Sequence, residues 1–212
     1  MNKHPVISID RQCGSLGKKI GEKLAEKLGV KCYDKELFAV AAKNSGLSEE
    51  LFYSHDEKPA NSLLYSLVMD TYSLGFTTSG HMDMPMDHKL FLAQFETIKQ
   101  LAEEKSCVFI GRCADYALAD YENLISVFIT ADENDRMEAL KELHQIDDAK
   151  AKDLMVKTDK KRSSYYNYYT NKKWGNVKSY DLCINRSAVG IDGAVKIIQE
   201  FVNAKTLRIK EK

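Results

Sequence analysis

The sequence lacks several features that would place it in a specialised class. No apolar stretch approaches the roughly eighteen residues that a membrane span needs, and no signal-peptide pattern is present. The five cysteines are odd in number and contain no C-x-x-C pair, and Cys32, Cys107 and Cys183 lie in or beside apolar runs, which favours a reduced compartment. Lysine plus arginine and aspartate plus glutamate each number 31, so the formal charge is zero. This balance argues against a general nucleic-acid or membrane-surface binder. We therefore expect a cytoplasmic protein with no membrane partner.

The apolar periodicity predicts an α/β fold. Short apolar runs, typical of buried strands, alternate with helical patterns over 212 residues, a length that fits one domain. Such alternation predicts a parallel sheet with helices on both faces. The predicted strands cover residues 6–9, 31–33, 107–110, 124–129 and 181–185. The predicted helices cover residues 20–28, 37–42, 48–51, 61–74, 90–104, 137–143, 147–161 and 190–201, with a loop over 75–88 and a frayed basic tail from 205. Gly29 and the stretch Asn44-Ser45-Gly46 are the predicted stops of the first two helices.

The chain is organised around its first thirty residues. A short apolar run is followed by a turn with Gly14 and Gly17 and then by a helical pattern. This layout directs backbone N–H groups and a helix N-terminus toward a phosphate, and Lys18 follows as a cation within reach of it. The pattern G-x-x-x-x-G-K-[ST] is incomplete, and an ordinary strand-to-helix turn stays the alternative. The predicted phosphate-binding stretch comprises Gln12, Cys13, Gly14, Ser15, Leu16, Gly17, Lys18 and Lys19.

Polar residues also follow other predicted strands, where ligands bind in open α/β sheets. Asp34 follows the second strand and is placed to cap the next helix. Arg112 follows the third strand, where a guanidinium can grip a phosphate; its alternative is a structural pair with a carboxylate such as Asp115. Arg186 and Ser187 follow the fifth strand.

Residues 157–174 combine lysines and one arginine with interleaved tyrosines and a tryptophan. One interpretation is a lid that closes cations over a triphosphate, with Lys161 and Arg162 as the leading candidates. A second is a strip that binds single-stranded RNA by stacking. A third is a solvated helix face whose tyrosines pack on the body of the protein.

Several motifs together resemble the cytidylate kinase-like family: I-S-I-D-R-Q-C-G-S-L-G-K-K-I-G, C-Y-D-K-E-L, C-V-F-I-G-R-C-A-D-Y, V-F-I-T-A and K-K-R-S-S-Y-Y-N-Y-Y-T-N-K-K-W-G. The resemblance implies a P-loop NTPase-like three-layer sandwich with one nucleoside monophosphate kinase-like domain over residues 1–212. It implies a helical segment that binds the monophosphate at about 35–90 and a lid at about 157–175. It further implies transfer of a phosphoryl group from ATP, with Mg²⁺, to a nucleoside monophosphate, CMP or dCMP first.

The same resemblance implies roles for individual residues. Gly14, Ser15, Gly17 and Lys18 match the phosphate loop. Residues at the acceptor site and in the lid follow from the other motifs: Asp34 and Gln94 at the monophosphate site, Arg112 on the acceptor phosphate, and Lys160, Lys161 and Arg162 in the lid.

The sequence departs from the family pattern where magnesium is normally held. Gln12 replaces the first glycine, Lys19 a serine or threonine, and Cys113 an aspartate. We therefore predict no direct protein ligand for the metal, with Ser15, Asp10 or Asp34 as partners through water. The departures motivate a second hypothesis, a nucleotide-binding protein of the same fold with weak or no catalysis. An RNA-binding module is a third, and a homodimer contact through the aromatic segment stays open.

Overall fold

The computed structural model describes residues 4–58 and 84–210. Its centre is a five-stranded parallel sheet with the order β2-β3-β1-β4-β5. The strands are β1 (Val6–Arg11), β2 (Lys31–Tyr33), β3 (Cys107–Ile110), β4 (Leu124–Thr130) and β5 (Leu182–Asn185). In the register of the central strands, Ile9 of β1 lies between Ile110 of β3 and Val127 of β4.

Helices cover both faces of this sheet within the described residues. Their bounds are α1 (Gly17–Leu28), α2 (Glu36–Ser45), α3 (Glu49–Ser54), α4 (Met86–Glu104), α5 (Ala114–Ala117), α6 (Glu133–His144), α7 (Asp148–Thr170) and α8 (Arg186–Lys210), with a 3-10 turn at Val177–Ser179.

Two of the apolar core clusters lie on opposite sides of the sheet. Successive side chains of a strand point to opposite faces, so Ile7 and Ile9 of β1 pack with α1 and α8. Val6 and the buried Phe109 pack instead with α2, α4 and α5. The predicted α/β sandwich with a parallel five-stranded sheet is confirmed.

The predicted strands match the observed ones to within two residues, and the helix stops at Gly29 and Gly46 are confirmed by left-handed backbone at both. Several helix bounds were wrong. The helix predicted from 90 begins at Met86, so residues 86–88 of the predicted loop are helical. The helix predicted to end at 161 continues to Thr170, and the tail predicted to fray is helical to Lys210. The predicted helix over 61–74 and the rest of the predicted loop lie outside the described residues.

No helix among residues 4–58 and 84–210 is both long enough and apolar enough to span a bilayer.

Candidate functional site

A cleft of about 700 Å³ opens at the carboxyl edge of the sheet. Its walls come from the turn after β1, the ends of β2 and β3, the residues after α3, and the facing sides of α6 and α7. The charged and loop residues that line it include Arg11, Gln12, Cys13, Gly14, Leu16, Gly17, Lys18, Lys19, Glu22, Asp34, Lys35, Asp56, Glu57, Arg112, Lys161 and Arg162. The topology therefore gathers most of the predicted site residues in one place.

The turn after β1 is held by hydrogen bonds within the protein. The Gln12 amide donates to the carbonyl of Ile129 at 3.0 Å, and the fully buried Ser15 hydroxyl donates to the Gln12 carbonyl at 2.8 Å. Thr130 Oγ1 donates to Gln12 Oε1. Gln12, at the position of the missing first glycine, thus ties the turn to β4.

Helices α6 and α7 contact the same turn. A Cβ on Gly14 would lie 2.4 Å from the carbonyl oxygen of Arg136, so this glycine, with φ +77°, is required by the packing. Arg136 Nε donates to the Cys13 carbonyl at 2.7 Å, and the Cys13 amide donates to Asp159 Oδ1 at 2.7 Å. Arg136 Nη2 also donates to Asp159. One amide of the turn is therefore engaged by a carboxylate of α7.

Asp34 links the first helix to the end of β3. Its carboxylate lies 2.8 Å from Lys18 Nζ and accepts a hydrogen bond from Arg112 Nη1 at 2.6 Å. Burial alone would raise the pKa of Asp34, but Arg112 and Lys18 outweigh burial and hold the pKa below its ordinary value. The hydrogen bond to Asp34 raises the pKa of Lys18. The predicted helix-capping role of Asp34 is wrong, because α2 has Lys35 as its N-cap and its capping residue makes no side-chain hydrogen bond.

Arg112 is buried but incompletely paired. Its guanidinium stacks over the ring of Phe38 at 4.5 Å, and Nη2 donates to Asp56 Oδ2 at 3.3 Å. Its Nε is buried with no hydrogen-bond partner among the described residues. The alternative, a pair between Arg112 and a carboxylate, is confirmed, but its partners are Asp34 and Asp56. The named partner, Asp115, is wrong, because Asp115 accepts a hydrogen bond from Tyr166 at 2.7 Å.

A second ionic network, which the sequence did not predict, centres on Glu57. Its carboxylate accepts hydrogen bonds from Arg11 Nη1 at 2.9 Å and Arg162 Nε at 3.1 Å. Burial would raise the pKa of Glu57, but the two guanidinium groups outweigh burial and hold it well below its ordinary range. An arginine at the carboxyl end of a buried strand was a usable signal for Arg11. The sequence contains no comparable signal for Glu57, because Glu57 and Arg11 are distant in sequence and only the fold brings them together.

The remaining predicted residues divide between the cleft and other places. Lys19 and Lys161 are exposed and line the cleft, whereas Lys160 is not part of its lining. Gln94 is buried on α4, where its Nε2 donates to the Leu90 carbonyl at 3.3 Å, and it does not line the cleft. Arg186 lies apart from the cleft as well, 3.7 Å from a carboxylate oxygen of Asp135.

The tyrosines of α7 pack on the body of the protein. Tyr165, Tyr166 and Tyr169 are each at most 5% exposed. The Tyr169 ring stacks on Phe91 of α4 with centroids 3.8 Å apart and planes 8° apart. These three rings are not available for stacking on bases.

The residues at the cleft do not fit a directly bound magnesium ion. Among the described residues, no group of three or more His, Cys, Asp or Glu side chains is placed to hold a metal. The Ser15 hydroxyl donates within the turn, Asp10 accepts from Tyr180 at 3.1 Å, and Asp34 lies between two cations. We derive no step through a protein-held metal.

The strand order and the cleft define a protein with the P-loop kinase fold, and solved structures agree. The fold of shikimate kinase from Bacteroides thetaiotaomicron is similar, with TM-score 0.52, 15% identity, 94% of this chain and 98% of that chain covered. TT1252 from Thermus thermophilus gives TM-score 0.51 and 15% identity over 96% and 98% of the two chains. An uncharacterized protein from Eubacterium ventriosum ATCC 27560 is more similar, with TM-score 0.71 and 29% identity over 94% and 99%.

The chain belongs to the cytidylate kinase-like family, whose sequence model matches residues 6–188. A comparison with curated proteins found no match. Family membership supports nucleotide-dependent phosphoryl transfer as the class of activity.

Proposed function

We propose that this protein transfers the γ-phosphoryl group of ATP to a nucleoside monophosphate, with CMP or dCMP the first acceptors to test. The observation that carries the proposal is the contact of Lys18 and Arg112 through Asp34. Lys18 lies in the first turn of α1, after the glycine turn, and Arg112 follows the neighbouring strand β3. Two cations from separate elements thus meet at one carboxylate in one cleft, as donor and acceptor phosphates require.

On the donor side, Lys18 and the free amides of the turn would bind the β- and γ-phosphates of ATP. Lys18 is suited to this because its side chain is about half exposed, so its amine is able to leave Asp34 for a phosphate. The hydrogen bond to Asp34 raises its pKa further above neutral pH, where a lysine amine is charged in any case. Magnesium would enter bound to ATP.

On the acceptor side, the Arg112 guanidinium would bind the phosphate of the nucleoside monophosphate. An oxygen of that phosphate attacks the γ-phosphorus, the bond to the β-phosphate oxygen breaks, and ADP leaves with a nucleoside diphosphate as the second product. Lys161 and Arg162 of α7 would neutralise charge on the transferring group, because such transfer needs positioning and electrostatic stabilisation more than covalent chemistry.

The test is an ATP-consumption assay with magnesium against CMP, dCMP, UMP, AMP and GMP. We expect turnover on one acceptor and a loss of at least about a thousandfold in the Lys18→Ala variant, because a phosphate-binding cation is removed. Lys23→Ala is the matched control: Lys23 lies on the same helix and pairs with Asp192 outside the cleft. Wild-type turnover in Lys18→Ala would refute the assigned role.

A second candidate is a nucleotide-binding protein without efficient transfer. The observation that favours it is the hydrogen bond from the Cys13 amide to Asp159, which occupies an amide that a phosphate would otherwise use. Stabilisation by ATP or ADP that is lost in Lys18→Ala, with no turnover on any acceptor, would select this candidate.

A further inference from the structure

Arg11 is a buried residue of the cleft that packs closely against two glycines. Its side chain runs from the end of β1 between Gly17, the first residue of α1, and Gly111, which follows β3. A Cβ on Gly17 would lie 2.5 Å from Arg11 Cβ, and a Cβ on Gly111 would lie 2.1 Å from Arg11 Nη1. Both glycines therefore leave room for Arg11, not only for a ligand. Arg11 is 7% exposed and is one of the residues that line the cleft.

Glu57 holds this guanidinium from the other side. The carboxylate joins Arg11 Nη1 and Arg162 Nε, at 2.9 and 3.1 Å. Arg162 Nη1 also donates to the Arg11 carbonyl at 3.2 Å. The end of β1, the turn after α3 and the lid helix α7 are thus fastened together at one point by charge-assisted hydrogen bonds.

One nitrogen of the Arg11 side chain makes both of its carboxylate contacts among the described residues: Nη1 lies 2.9 Å from Glu57 and 3.7 Å from Asp10. Among described residues, Nη1 is the only side-chain nitrogen of Arg11 with a hydrogen-bond partner, and one carboxylate serves both Arg11 and Arg162. Arg112 lines the same cleft with its buried Nε unpartnered. A buried donor without an acceptor, such as Arg112 Nε, is costly, and a phosphate oxygen would satisfy it and the remaining nitrogens of Arg11.

We propose that Arg11 is a further phosphate-binding residue of this cleft, and that Glu57 is the positioning residue that holds Arg11 and Arg162 for the phosphates. The inference deepens the proposed function and rests on it for the identity of the phosphates, those of a nucleotide. Arg11, at the end of β1, would thus add a second cation to the one that Lys18 supplies from the first turn of α1.

The test compares Arg11→Lys and Glu57→Gln with wild type in two measurements. Calorimetric titration with inorganic pyrophosphate reports anion binding without chemistry, and steady-state kinetics separates kcat from KM. Arg11→Lys keeps a charge for Glu57 but loses the guanidinium fork, so we expect pyrophosphate binding to weaken about tenfold. For Glu57→Gln we expect kcat to fall about tenfold while KM for ATP changes less than about threefold, because the two arginines lose their common anchor.

Arg186→Lys is the matched control, since Arg186 ends on a carboxylate at the same edge of the sheet but outside the cleft. It should bind and turn over as wild type does, and circular dichroism should show that every variant is folded. If either substitution at Arg11 or Glu57 prevents folding, Arg162→Lys provides the same readouts from the lid side of the network.

The outcomes separate this inference from the proposed function. If wild type turns over an acceptor and Arg11→Lys and Glu57→Gln show the same binding and kinetics, the proposed kinase activity stands and the proposed role of Arg11 and Glu57 is overturned. No turnover on any acceptor, with pyrophosphate binding that weakens in Arg11→Lys, would overturn the kinase and support the phosphate site. Absence of pyrophosphate binding by wild type would overturn the phosphate site. Tighter binding by Glu57→Gln without loss of turnover would mean that the carboxylate competes with the anion instead of positioning the arginines.

Discussion

Individual carboxylates hold the cations of this cleft while no phosphate is bound. Asp34 pairs with Lys18 and Arg112, and Glu57 pairs with Arg11 and Arg162. Buried ion pairs contribute little net stability but are costly to break from one side, because the partner charge stays buried. The free energy of unfolding should therefore depend on pH through these pairs, and removing one carboxylate by substitution should change that dependence.

For Asp34, the pKa in the folded state lies below the ordinary value of 3.8 for an aspartate. The stabilising contribution is therefore fully present above about pH 4 and is lost as pH falls through the lower folded pKa. We expect Asp34→Asn to lower the free energy of unfolding by about 3 kcal/mol at neutral pH. Urea unfolding at a series of pH values should show this difference shrinking below about pH 4.

Asp192→Asn provides the comparison for that titration. Asp192 pairs with Lys23 on the surface and its side chain is 74% exposed, so solvent screens the interaction. Its substitution should change stability little at any pH. An Asp34→Asn difference that stayed constant down to pH 2 would show that the carboxylate acts by packing and not by charge.

Two glycines with the same backbone conformation give a second residue-scale prediction. Gly29 has φ +66° with nothing near its Cβ position, whereas Gly111 has φ +67° and Arg11 Nη1 at 2.1 Å from that position. Gly29→Ala should cost about 1 kcal/mol from left-handed strain alone. Gly111→Ala should cost about 1–3 kcal/mol more, because Arg11 must leave Glu57. Thermal unfolding of the two variants measures the difference, and equal losses would contradict this account of Arg11.

At the scale of elements, local patterns predicted what depends on neighbours in sequence. Apolar runs predicted the strands and the placement of Asp34 and Arg112 at the strand ends. Glycines after helical patterns predicted the helix stops at Gly29 and Gly46. Local patterns could not predict ion pairs between elements that are distant in sequence, such as the pair of Glu57 with Arg11. The length of α7 was also missed, because its last turns are stabilised by packing on α4, as in the stack of Tyr169 on Phe91, which is distant in sequence.

That packing predicts the effect of a substitution in α7. Tyr169 is fully enclosed and stacks on Phe91, so Tyr169→Ala should remove about 3–5 kcal/mol from the free energy of unfolding. Val156→Ala on the same helix, where the side chain is 55% exposed, should cost less than about 0.5 kcal/mol. Denaturant unfolding of both variants tests this. A Tyr169→Ala loss no greater than that of Val156→Ala would mean that the aromatic contact does not anchor α7.

At the scale of the whole molecule, the distribution of charge matters more than its sum. The formal charge is zero, yet seven lysines and arginines line the cleft against four carboxylates among the described residues. The excess positive charge is concentrated in a volume of about 700 Å³, which suits a compact polyphosphate better than an extended nucleic-acid backbone. The buried tyrosines of α7 favour the same choice.

The balance between these ligands can be measured on the intact protein. A ligand at a hundred times its Kd adds about 2.7 kcal/mol of stability, which for a chain of this length is about 5–10 °C in Tm. We expect ADP to raise Tm by this amount in wild type and in Lys23→Ala, and not in Lys18→Ala. A single-stranded oligonucleotide should leave Tm unchanged at physiological salt, because Tyr165, Tyr166 and Tyr169 of the basic segment are buried and cannot stack on bases. Stabilisation by the oligonucleotide that falls steeply with salt, with none by ADP, would move the function from phosphoryl transfer to RNA binding.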